Sequence, residues 1–115
     1  MVLFTLFIMS LVRDCWSLVY EAALMYELTS SGIQVVSQIG VPVYYKKVQL
    51  EVGFRMDLMV ENTVIIEIKS IEMLLDVHKK QLLTYLKLTN KPLGFLVNFN
   101  VTKLIDKESL IRIIN

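Results

Sequence analysis

The sequence predicts a single mixed α/β (α+β) domain in which a sheet carries helices. Three observations predict it. Helical spacing of apolar residues occurs twice, over Ser17–Ser31 and over Leu74–Thr89. Short β-branched and aromatic runs lie between and after them. The order helix, strands, helix, strand is that of a layered sheet-and-helix domain. The chain has 115 residues, which suits one modest core.

The first helix is placed by Leu18, Ala22, Met25 and Leu28, and Gly32 is its natural stop. Ile33–Val36 and Val41–Tyr45 read as strands, with Gly40 and Pro42 as punctuation. Gly53–Ser70 reads as two strands joined at Glu61-Asn62-Thr63. Leu74–Thr89 is the second helix, with Leu75, Leu82 and Leu86 on its apolar side and Asn90 and Pro92 ending it. Leu93–Phe99 suits a buried strand, and Ile111–Ile114 a last strand or edge extension.

Composition narrows the function. Apolar residues are 55% of the chain, which excludes intrinsic disorder. A formal charge of +1 gives no support to nucleic-acid binding from charge alone. One cysteine excludes a disulfide framework and a cysteine zinc cluster, and points to a cytoplasmic protein. The apolar run Met1–Val12 is shorter than the roughly 20 residues of a membrane span. It also lacks the preceding cation and following cleavage site of a signal peptide. No membrane association is expected.

The chemistry is concentrated in the Gly53–Ser70 hairpin. Side chains alternate across a strand, so Met56, Leu58 and Val60 share a face, as do Val64, Ile66 and Ile68. These six are expected to form the buried side. The other side then carries Arg55, Asp57, Met59, Ile65, Glu67 and Lys69. A three-residue turn at Glu61-Asn62-Thr63 keeps the apolar sets together, pairing Leu58 with Ile66 and Asp57 with Glu67. Asn62 tolerates the left-handed backbone such a turn uses.

Two carboxylates so placed need a cation or a shared proton. Mg²⁺ binds one or two carboxylates, keeps waters and engages phosphate oxygens. With Lys69 on the same side to stabilise developing charge, the set is that of a metal-dependent nuclease, a phosphodiester hydrolase. The alternative is a solvated face with weak ion pairs.

The ordered segments YEAALMYEL, PVYY, GFRMDLMVEN, VIIEIKS, HKKQLLTYLKLT and GFLVNFN resemble the bacterial GxxExxY protein family, which is placed in the PD-(D/E)XK nuclease superfamily. The resemblance runs from about Val19 to Asn115. It implies an α-β-β-β-α-β nuclease-like core with a mixed central sheet flanked by helices. It implies that Asp57 and Glu67 are the metal-binding acids, that Lys69 is the motif lysine, and that Gln81 and Tyr85 belong to a conserved-pattern helix segment. It also implies Mg²⁺ as cofactor and nucleic acid, DNA foremost, as partner. His78, Gln81 and Tyr85 stand at i, i+3 and i+7 and share a helix face; His78 is either a site residue or a partly buried helix histidine. Glu21, which follows the family tyrosine at Tyr20, is either an outer-shell metal group or a surface charge. Arg55 and Lys79 are the foremost phosphate-contact candidates, with Lys46, Lys47 and Lys80 as further basic groups. A non-catalytic nucleic-acid or protein binding module, or an inactive product, is the alternative on the same fold.

The amino terminus departs from that family. Counting back from Tyr20, its glutamate position holds Ser17 and its glycine position Asp14. One permitted set of codons for Phe7–Leu18, read from its third base, encodes HNEFGPGLLES, which resembles the family just before VYE. The expectation is that residues 1–18 are a divergent, out-of-frame segment that truncates or alters the first helix, and that 19–115 are the nuclease-like domain.

Overall fold

A computed structural model describes residues 16–100 and 109–115. Helix α1 is Trp16–Ser30. Strands β1 (Val35–Tyr45), β2 (Val48–Val60) and β3 (Val64–Lys69) follow. Helix α2 is Asp76–Thr89, and strands β4 (Leu93–Asn98) and β5 (Leu110–Ile114) complete the described chain. The five strands form one sheet in the order β1-β2-β3-β4-β5. All neighbours are antiparallel except β3 and β4, which are parallel. A parallel pair needs a crossover, and α2 is that crossover. The result is the expected mixed sheet with helices.

Local chemistry sets the ends of the helices. Gly32 takes φ +82°, and the N–H of Ile33 donates back to the Leu28 carbonyl at 3.0 Å. Asn90 adopts the left-handed conformation after α2, and Lys91 N–H closes the helix on the Leu86 carbonyl at 3.0 Å. At the start of α2, Leu75 is the N-cap and is exposed. It was expected on the apolar side; the helix begins one residue after it, so its side chain falls outside the helical stripe.

The two helices cover opposite faces of the sheet. Tyr20 and Ala23 of α1 pack with Val35, Leu58, Ile68, Val97 and Phe99, and the Tyr20 and Phe99 rings stack at 4.7 Å. Leu82, Tyr85 and Leu86 of α2 pack with Val41, Met56, Met59, Ile65 and Leu96. Gly94 of β4 lets α2 approach: a Cβ there would lie 2.9 Å from Leu82 Cδ1. Two sequence expectations change here. The hairpin's second face is not mainly polar, because Met59 and Ile65 are buried under α2. Met56 packs with them and not with Leu58 and Val60. Alternation breaks where Gln38, at φ +53°, sits opposite Asp57 between the pairs Ser37↔Leu58 and Ile39↔Met56.

The strands before the hairpin also differ from expectation. β1 is one strand that runs through Gly40 and Pro42. It is an edge strand, where a missing N–H is tolerated. β2 begins at Val48, before the expected Gly53. α1 runs 15 residues, so the described helix is not short. The apolar run Met1–Val12, Asp14 and the Ser17 side chain lie outside the described residues, as does most of the segment read as out-of-frame.

Candidate active site

The β2–β3 hairpin forms with the expected register, Leu58↔Ile66, Met59↔Ile65 and Val60↔Val64. Its turn is Glu61-Asn62-Thr63, with Glu61 and Asn62 both at φ +52°. Glu61 also accepts from Gln34 N–H at 3.0 Å, which ties the turn to the entry of β1.

Backbone pairing of β2 with β3 stops at Leu58↔Ile66, whereas β3 stays paired with β4 as far as Lys69↔Asn98. The two strands of the hairpin therefore fork at Asp57 and Glu67. Within the fork the backbone donors are satisfied by carboxylates. Asp57 N–H donates to Glu67 Oε1 at 3.1 Å, and Ile68 N–H donates to Asp57 Oδ2 at 2.7 Å. Glu67 is only 4% exposed. Its carboxyl is pushed up to about 8, first by burial and then by the charge of Asp57. Asp57 is raised too, mainly by burial, with the Ile68 hydrogen bond and the Lys69 charge opposing the rise. Each carboxyl acts on the titration of the other, and with Glu67 pushed up to about 8 the pair holds one proton at neutral pH.

Lys69 leaves the fork on β3 and donates from Nζ to Gln81 Oε1 at 3.3 Å. Gln81 in turn donates from Nε2 to the Tyr85 hydroxyl at 3.0 Å. The Tyr85 ring is anchored in the α2 core, and burial and then the Glu67 charge raise its hydroxyl. One turn of α2 thus holds the lysine through a chain of two hydrogen bonds.

Glu21 reaches the fork's surroundings from α1. It is 8% exposed, so it is not the surface charge offered as one reading. Gln38 Nε2 donates to its Oε2 at 2.7 Å. Burial raises its carboxyl, with a smaller contribution from Asp57.

The other candidates sit elsewhere. His78 Nδ1 accepts from Leu75 N–H at 2.9 Å and completes the start of α2. Lys79 makes an i,i+3 ion pair with Asp76 at 3.6 Å, which is worth little at the surface. Arg55 is exposed on β2 opposite Gly40.

Two residues near the site escaped the sequence reading. Gln38 holds Glu21 and marks the break in alternation. Asn98, fully buried, clips the loop that follows Lys69: it accepts from Ile71 N–H at 3.1 Å and donates to the Ile71 carbonyl at 2.9 Å. Asn100 adds a second donor to that carbonyl at 3.0 Å. The polar pair in N-F-N after the apolar run Leu93–Val97 was the available signal.

Among the described residues no group of three or more His, Cys, Asp or Glu gathers as a metal site, so any cation at the fork would rest on the Asp57–Glu67 pair and water. Each carboxylate gives one oxygen to the backbone and retains another, and two carboxylates with water are what Mg²⁺ takes. Among the described residues no helix is long and apolar enough to cross a membrane. Residues 13–113 match the PD-(D/E)XK nuclease superfamily. No curated protein and no solved structure matches the chain.

Proposed function

Because the chain belongs to the PD-(D/E)XK nuclease superfamily, we propose that it is a Mg²⁺-dependent nuclease of the GxxExxY family that hydrolyses phosphodiester bonds in DNA, in the cytoplasm. The observation that carries this reading is the meeting of Asp57, Glu67 and a restrained Lys69 at one fork in the sheet. In a solvated face the three groups would be free and exposed, yet Glu67 is buried and Lys69 is tied to a helix.

Asp57 and Glu67 would hold the ion through the oxygens not engaged by the backbone. A divalent ion at that place supplies Lewis-acid polarisation of the phosphate and activates water. The Lys69 ammonium orients the attacking water and offsets negative charge that grows on the phosphate oxygens. Gln81 keeps that ammonium facing the fork, and the Tyr85 hydroxyl keeps Gln81 in place. Glu21, held by Gln38, adds negative potential behind Asp57 and orders the outer shell. Arg55 and Lys79 are peripheral phosphate contacts. Residues 19–115 form the nuclease-like domain, and 1–18 are a divergent, out-of-frame segment; the genomic sequence over codons 1 to 20 tests that part.

The cleavage assay is simple. Labelled oligonucleotides are incubated with the chain in Mg²⁺ or in EDTA, beside Asp57→Ala and Lys69→Ala. Cleavage that needs Mg²⁺ and is lost in both variants supports the reading. Binding without cleavage, unchanged by either substitution, makes the chain a non-catalytic module.

A further inference from the structure

The β1–β2 hairpin does more than deliver Asp57. Its far end, Tyr44–Val48, carries a dense set of exposed groups. Tyr44 and Tyr45 are each 62% exposed and Val48 is 61% exposed. Lys46 and Lys47 form the two-residue tip between the paired Tyr45 and Val48. Lys46 Nζ lies 5.5 Å from the centre of the Tyr45 ring. From Val41 to Met56 the sequence carries Lys46, Lys47 and Arg55 against Glu51, whereas the whole chain is only +1.

The tip is strained. Lys46 and Lys47 have φ of +47° and +69°, which is the backbone of a turn that prefers Asn-Gly. Each non-glycine residue held there costs stability. Relaxed residues would serve a merely connecting turn better, so two lysines there point to a role for their charge.

The ribbon is also continuous with the fork. Val41 packs in the α2 core and pairs with Phe54, whose ring lies 6.2 Å from Tyr85. Tyr45 follows Val41 by four residues on the same strand, beyond the register shift between Val41 and Val43. About 23 Å of strand separates Tyr45 from the level of Asp57. That is the rise of roughly seven stacked nucleotides.

Resting on the nuclease reading above, we infer that the Tyr44–Val48 ribbon is the arm that grips the substrate, and that what it grips is a single-stranded stretch of nucleic acid. The lysines meet phosphates, the exposed Tyr45 ring stacks on an unpaired base, and Phe54 lies along the strand pair towards the fork. Every base presents a face to an aromatic ring, so this grip is independent of sequence. Duplex bases are already stacked and do not offer those faces.

The test measures binding of the full chain to fluorescein-labelled oligothymidylate and to a matching duplex by anisotropy in EDTA, across salt concentrations. The informative variant is Lys46→Asn with Lys47→Gly, which relaxes the turn. It is expected to raise the melting temperature while weakening single-strand binding about tenfold. It should also reduce the salt slope by about 1.4, or 0.7 per lysine. Tyr45→Ala should lose about tenfold as well, and Tyr45→Phe should restore it. Unchanged affinity and slope in these variants would overturn the assignment. So would tighter binding to duplex, or a concentration-dependent dimer that the turn variant dissolves. The two readings fail separately. Arm-dependent binding without cleavage defeats the nuclease and leaves the arm; cleavage indifferent to the arm variants defeats the arm and leaves the nuclease.

Discussion

Asp57 and Glu67 each satisfy a backbone donor on the other's strand. Glu67 Oε1 accepts from Asp57 N–H, and Asp57 Oδ2 accepts from Ile68 N–H. The two acids therefore hold together the fork in which they stand. Asp57→Ala leaves the Ile68 N–H without its acceptor and is expected to cost about 1–3 kcal/mol. Urea unfolding of the metal-free chain measures it. Glu67→Gln retains the acceptor and replaces the shared proton by an amide N–H, so it should unfold at a urea concentration equal to or above that of the parent at pH 8.

The proton on Glu67 makes stability depend on pH. The folded-state carboxyl lies near 8 against an ordinary value of 4.5, so the folded chain binds more protons than the unfolded chain between those values. Stability from this group is complete below about 4.5 and is lost as pH rises towards 8. The metal-free protein should thus lose melting temperature steadily from pH 5 to pH 8. Glu67→Gln should flatten that decline.

The helix α2 controls the lysine without touching the carboxylates by any described hydrogen bond. Gln81→Ala frees Lys69 Nζ from its 3.3 Å partner and should lower cleavage by about 10- to 100-fold with little change in melting temperature. Tyr85→Phe removes only the far end of the chain and should cost less. Steady-state rates at saturating Mg²⁺ separate the two.

Close approach of α2 to β4 depends on Gly94. A Cβ there would meet Leu82 at 2.9–3.1 Å, and Leu82 is fully buried. Gly94→Ala should destabilise by about 1–3 kcal/mol through overpacking, seen as a lower urea midpoint. Since Leu82 is one residue from Gln81, cleavage should fall as well.

Much of this architecture is written in local pattern. The three-residue turn is legible because burial of Leu58, Val60, Val64 and Ile66 permits only one register. Gly32 and Asn90 announce the helix ends because few other residues adopt left-handed backbone cheaply. The convergence of Asp57 and Glu67 follows from that register. What pattern does not carry is the break at Gln38. There Gln38 has a positive φ and Met56 lies in the α2 core while Leu58 lies in the α1 core, and alternation alone cannot foresee it. Gln38 and Asn98 escape as partners for a related reason. The groups they hold, Glu21 and Ile71, are 17 and 27 residues away, and only the assembled sheet brings them near. Pro42 misleads because its tolerance depends on β1 being an edge, which is a property of the strand order.

The sharpest test of the carboxylate fork is calorimetric titration of Mg²⁺ into the metal-free chain at pH 7, repeated in buffers of different ionisation enthalpy. A cation that replaces the shared proton should bind at one site and release close to one proton. Asp57→Asn should abolish that binding, and Glu67→Gln should weaken it and release none. Mg²⁺ binding that leaves the proton in place, or that survives Asp57→Asn unchanged, would contradict the assignment of Asp57 and Glu67 as the metal-holding pair.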